Sequence, residues 1–361
     1  MNTLHQASHQ WATRPDDERF VSLLDMQAHF VEQRKLSKAT VVSSRQIEAR
    51  PDSDNKGLVV VGPNGNGFAP TNWAFGQLAQ LAEAPAAYLR SVPSPIAADC
   101  INYGLQYKRD IEDVGLLLYK NGVPVIRAAT GPKYGRIWNS DIVGGLVRQF
   151  GDGLSGDFRV PGEFGNHFDV TKANTTLYAG DRDMFVFLAD EEHRIEMPGR
   201  RNGETGSLAR GFFVWNSEVG KTTFGIGTFL FDYVCCNRIV WGVEGYEEIT
   251  IRHTTSAPDR FIEQATPALQ RYAQLSTDSI TKALTAAKQA RIENVDEFLA
   301  KRFGPRMVST IKTAHMIDEG RPIETLWDAT TAVTAYARGI TYQDQRVELE
   351  RQAGDILRLA A

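Results

Sequence analysis

The stretch "RGFFVWNSEVGKTTFGIGTFLFDYV", residues 210–234, decides between two folds. Its "GKTT" imitates the end of a phosphate loop, which would require strand, glycine-rich turn and helix in that order. Gly220, Lys221 and Thr222 match, but the position of the first loop glycine is Trp215. Glu218 would put a negative charge inside the anion cradle. Beyond the turn, Phe224, Ile226, Thr228 and Leu230 recur at period two, with Gly225 and Gly227 between them. That is strand spacing, so no helix N-terminus follows to hold a phosphate. The stretch therefore reads as two strands joined by a turn at "NSEVGK", with Lys221 at its tip.

Working outward, the middle of the chain has the same character. Residues 114–130, "VGLLLYKNGVPVIRAAT", read as a hairpin around Asn121 and Gly122. "NSDIVGGLVRQF" (139–150) reads as a helix capped by Asn139 or Ser140. "NTTLYAG", "DMFVFLADEEHRIEM" and "EEITIRHT" read as further strands. Toward the front, one helix is predicted over 16–34, a linker at "EARPDSDNKG" (48–57) and a short strand at "LVVV" (58–61). A helix follows from Thr71 or Asn72 with Trp73, Leu78 and Leu81 on one face, ended by Pro85, and another covers 94–111. From Pro258 onward Ala-, Leu-, Gln- and Lys-rich segments read as helices.

The expected fold class is α+β: a central strand-rich antiparallel or mixed sheet with helices packed on it, plus a helical C-terminal region. The expected segments are an N-terminal helical and linker piece (1–56), a central α+β domain (57–256) and a C-terminal helical region (257–361).

With 361 residues, 42% of them hydrophobic and 23% charged, the chain has globular composition. Its net charge of −4 excludes a global basic field, so any nucleic-acid binding must come from a local patch. Three cysteines, Cys100 and the adjacent Cys235 and Cys236, make no disulfide framework and fit a reducing cytoplasm. The first twenty residues lack the apolar segment of a secretory signal, and no run of apolar residues is long enough to span a membrane.

Local chemistry points to such a patch. Residues 114–140 contain no Asp or Glu and carry Lys120, Arg127, Lys133 and Arg136, interleaved with Tyr119, Tyr134 and Trp138. Cations neutralise phosphates and aromatic faces stack on bases, the combination a single-strand-binding surface needs. Arg200, Arg201 and Arg210 form a second basic group, which Lys221 and Arg252 join if the strands are neighbours. The expected nucleic-acid contacts are therefore Lys120, Arg127, Lys133, Tyr134, Arg136, Trp138, Arg200, Arg201, Arg210, Lys221 and Arg252. No catalytic residue, cofactor or resident metal is expected. An alternative reading gathers His167, Asp169, Asp181, Asp183, Glu192 and His193 around a divalent ion in a metal-dependent nuclease or hydrolase. His5 and His9 have ligand spacing but no third partner in view. In the helical back, residues 296–320 have a turn glycine four residues after Ala300, which reads as an ordinary helical hairpin more than a DNA-reading helix-turn-helix.

Taken in order, "GRIWNSDIVGGL", "GDRDMFVFL", "GFFVWNSEVGKTTF", "YVCCNRIVWG" and "ITIRHT" resemble the phage/plasmid-like proteins grouped as domain of unknown function 932. The resemblance covers about residues 67–255 and the "TLWDATTAVTAYAR" tail. It implies carriage by a mobile element and supplies no catalytic residues. With the basic hairpin, it sets the expectation of a DNA-binding protein of replication or recombination, with single-stranded DNA as partner and homo-oligomer formation extending a short groove. A protein-interaction or host-defence-modulating factor is the third reading.

Overall fold

The computed structural model describes residues 15–107, 113–161, 169–198, 205–232, 237–239, 249–340 and 343–360. The deciding stretch is strand, turn, strand, with Gly206–Asn216 and Phe224–Asp232 pairing antiparallel from Leu208 opposite Asp232 to Trp215 opposite Gly225. The fold is α+β, built on two sheets with helices packed against them.

The chain enters with Arg19–Phe20 (β1), an edge of the larger sheet. Ser37–Ser43 (β2), Glu48–Pro51 (β3), Leu58–Val61 (β4), Gly67–Pro70 (β5), Asp113–Asn121 (β6) and Val123–Thr130 (β7) then form a six-stranded sheet in the order β2-β6-β7-β5-β4-β3. The predicted hairpin is β6 and β7, turning at Gly122, whose φ of 72° suits glycine. Phe158–Arg159 (β8), Leu177–Ala179 (β9), Met184–Asp190 (β10), Ile195–Met197 (β11), Gly206–Asn216 (β12), Phe224–Asp232 (β13), Asn237–Ile239 (β14) and Ile249–Ile251 (β15) complete a nine-stranded sheet with β1. Its spine is β9-β10-β12-β13.

Three expectations for the front of the chain are corrected. The helix starts at Leu23, because the Ser22 hydroxyl accepts from the Asp25 N–H and caps it, while residues 19–20 pair with β9. The segment after that helix forms β2 along β6. The predicted linker contains β3, held on one side by β4. On its other side the Asn102 side chain accepts from Ala49 N (2.7 Å) and donates to Ala49 O (2.8 Å), standing in for a neighbouring strand. At 139–150 the helix is as expected, but Trp138 occupies the cap position and makes no side-chain cap.

Alternation divides the large sheet's faces. Leu208, Phe212, Val214, Phe224, Ile226 and Leu230 face one continuous core with the Leu23–Lys35 helix, the Asn139–Phe150 helix and the C-terminal helices, down to Trp327 and Ile356. On the opposite face Phe185, Phe187, Phe213, Trp215 and Phe229 form an aromatic cluster. Gly225 and Gly227 lie under it because a Cβ there would stand 2.0 Å from the Trp215 ring and 2.6 Å from the Phe213 ring. A separate core joins the small sheet to the Asn72–Leu81 and Ser94–Tyr107 helices. The C-terminal segment 295–319 is a helical hairpin, Val295–Phe303 and Pro305–Glu319, turning at Gly304. Among the described residues, no helix is long and apolar enough to cross a membrane.

Candidate nucleic-acid interface

The turn that imitates a phosphate loop sits where the two sheets meet. Val219 packs with Leu117 and Ala128 of the hairpin, flanked by Trp73 and Trp138. Glu218 is buried beneath it. One carboxylate oxygen accepts from Arg127 Nη1 (2.9 Å) and the other from the Asn139 N–H (2.8 Å), the first amide of the 139–150 helix. A helix N-terminus does hold an anion here, and the anion is the chain's own glutamate. Trp73 Nε1 and Gln77 Nε2 both donate to Val219 O (2.9 and 2.7 Å). Ser217 O accepts from the Tyr134 hydroxyl (2.8 Å), while Ser217 Oγ donates to Arg182 O (2.6 Å) and accepts from Lys221 N (2.9 Å).

The expected contact residues separate into groups. Arg127 and Arg210 are corrected: they are 6% and 3% exposed and face the interior. Arg210 pairs with Asp190 (2.9 Å) and donates to the carbonyls of Tyr272, Ala273 and Leu275, because its strand position points at the end of the Thr266–Gln274 helix. Tyr134, Arg136 and Trp138 do come together with His253, but as a half-buried stack. Tyr134 lies 4.8 Å from the His253 ring, and the Arg136 guanidinium is 5.3 Å from the Tyr134 ring and 5.7 Å from Trp138. Arg34 also approaches Trp138, at 5.0 Å. Each ring is thus already engaged by this chain's own groups.

Burial sets the charge states in this stack. It lowers the Arg136 pKa, and Nε and Nη1 have no hydrogen-bond partner among the described residues. It raises the Tyr134 phenol well above its ordinary value. It pushes His253 down to about 4, so the imidazole is neutral at pH 7, and its Nδ1 meets the Gly135 carbonyl at 3.0 Å. Lys133 and Arg252 are exposed on the two segments that carry this stack, which Gly135 N joins by donating to His253 O (3.2 Å). Lys120 stands at the other end of the hairpin, its ammonium 5.5 Å from the Phe68 ring. Arg200 and Arg201 lie outside the described residues.

The described members of the alternative metal set are held apart. Among the described residues no three His, Cys, Asp or Glu side chains gather to hold an ion. Asp181 and Asp183 precede β10 and His193 follows it, so the strand holds them roughly 20 Å apart. Asp181 approaches Arg182 (3.6 Å), and His193 pairs with Asp190 (3.0 Å). Asp169 is exposed, and His167, His5 and His9 are outside the described residues.

A second arrangement was missed at sequence level. Asn72, Trp73, Gly76, Gln77 and Gln80, one flank of the Asn72–Leu81 helix, line a polar cleft of about 610 Å³. Arg90, Arg182, Asp181 and Gly220 close it. Arg90 is fixed by hydrogen bonds to Asn72 Oδ1 and O (both 2.9 Å) and lies 4.9 Å from the Phe75 ring. The Lys221 ammonium stands 5.4 Å from the Trp73 ring. Three cations therefore surround the cleft, with Asp181 the one carboxylate among its described lining residues. The i, i+3, i+4, i+7 spacing of Trp73, Gly76, Gln77 and Gln80 carries the signal, but Trp73 also fits the apolar face with Leu78 and Leu81, which hides it.

No family model matches the chain, and neither curated proteins nor solved structures give a significant match to it.

Proposed function

We propose that this protein binds nucleic acid, single-stranded DNA in particular, through the cleft at the junction of its sheets. The observation that supports this is the gathering of Arg90, Arg182 and Lys221 around a polar, amide-lined space beside Trp73. Guanidinium and ammonium groups neutralise backbone phosphates, and amide side chains pair with base edges. A cleft of about 610 Å³ suits one or two nucleotides better than a duplex. Exposed Lys133 and Arg252 extend the positive surface past the turn. The motif resemblance fits the same reading, with the protein serving the DNA of a mobile element.

Fluorescence anisotropy of labelled oligo-dT against the full chain tests it. Binding weakens as salt rises, Arg90→Glu and Arg182→Glu each cost at least about tenfold, and Lys120→Glu, about 20 Å away along the hairpin, changes little. No binding at low salt, or the same affinity in all three variants, overturns the proposal.

A further inference from the structure

The six-stranded sheet carries a second cavity, independent of the cleft. Its concave face alternates inward along every strand: Lys38, Thr40 and Val42 of β2, Leu116, Leu118 and Lys120 of β6, Ile126 of β7, Phe68 of β5 and Val60 of β4. At one end these residues continue into the core under the Asn72–Leu81 and Ser94–Tyr107 helices. At the other no helix among the described residues covers them, and a cavity of about 390 Å³ remains. Lys35, Lys38 and Lys120 stand at its mouth, all exposed, and no carboxylate lines it among the described residues. Glu32 approaches Lys35 at 3.4 Å; Lys38 and Lys120 have no ion-pair partner among the described residues.

We infer that this cavity binds an amphipathic anion, its aliphatic chain lying on Val42, Phe68, Leu116 and Leu118 and its head group held among the lysines. The walls decide the class. A nucleobase would leave its ring-edge donors and acceptors against aliphatic side chains, and unpaired buried polar groups are costly. The exposed asparagines, Asn64 and Asn66, lie on the β4–β5 turn at the rim. An alkyl chain needs no partners there, and its charge is matched by Lys38 and Lys120, which have no ion-pair partner among the described residues. Charge and shape thus point to the same occupant.

Calorimetric titration of the full chain with dodecanoate and dodecyl phosphate below their micelle concentrations tests the inference. Either ligand binds saturably at one site, and decanoate binds roughly tenfold more weakly, as loss of two buried methylenes requires. The double substitution Lys38→Glu and Lys120→Glu, confined to exposed side chains, keeps the circular dichroism spectrum and weakens binding at least tenfold. Leu118→Trp fills the cavity and abolishes binding; if that variant does not fold, Thr40→Trp on the edge strand serves instead. Absence of saturable binding, dodecanol binding as tightly as dodecanoate, unchanged affinity in the lysine variant, or displacement by thymidine monophosphate each overturns it.

Discussion

Arg127 and Glu218 form an ion pair at 2.9 Å, both almost wholly buried, that fastens the β6–β7 hairpin of one sheet to the β12–β13 turn of the other. The same carboxylate receives the first amide of the 139–150 helix. A hairpin and a helix thus depend on one side chain 79 and more residues further along the chain.

Removing either partner leaves a buried charge uncompensated. Arg127→Ala and Glu218→Ala are each expected to cost about 3–5 kcal/mol in urea unfolding. The double variant Arg127→Met, Glu218→Leu should lose clearly less than the sum of the two, because no lone charge remains. Additive losses would show that the pair is not coupled.

Stability should fall on acidification through the imidazole of His253. Its pKa is about 4 in the folded state, below the ordinary 6.5, because burial disfavours the charged form. Above pH 6.5 the ring is neutral in both states and contributes no pH dependence. Between 6.5 and 4 the unfolded chain takes up the proton first, so folding loses about 3 kcal/mol across that window. His253→Phe keeps a ring beside Tyr134 and removes the titration. Its unfolding free energy should change less over the same pH range, and an unaltered pH profile would refute the assignment.

The aromatic face of the large sheet depends on Gly225. Gly225→Val would drive a side chain into the Trp215 ring and should destabilise by about 3 kcal/mol or more, read from the midpoint of thermal unfolding. Adding Trp215→Leu should recover part of the loss. If Gly225→Val is neutral, the close packing of ring on backbone is not what holds that face.

Arg210 links β12 to the helical back of the chain through Asp190 and the carbonyls at the end of the 266–274 helix. Arg210→Ala should cost about 3–5 kcal/mol and speed amide exchange in that helix more than in β10 and β12. Uniform exchange changes would mean the linkage is not local.

If DNA occupies the cleft, each phosphate contact contributes about one unit to the salt dependence. Arg182→Ala should lower the slope of log K against log salt by about 1, in anisotropy titrations over a range of ionic strength. A slope identical to the unsubstituted protein would place Arg182 off the binding path.

The sequence by itself determined those elements whose signals are local. Period-two spacing from Phe224 to Leu230 specified β13, and Asn121-Gly122 specified the hairpin, because alternation and positive-φ turns are properties of neighbouring residues. It did not specify β2 and β3, whose short polar segments are strands only because β6 and β4 lie beside them. Composition likewise located a run of cations but not their direction. Lys120 and Arg127 sit on one hairpin and Arg136 follows six residues after it, yet Arg127 is buried against Glu218, Arg136 is stacked between rings and Lys120 stands at the mouth of a separate cavity. The cleft arises from residues 72–90, 181–182 and 220, and its cations converge only when the two sheets dock. Glu218 shows why: its partners stand 91 and 79 residues away, and no local pattern can encode which helix a carboxylate will cap once the chain has closed on itself.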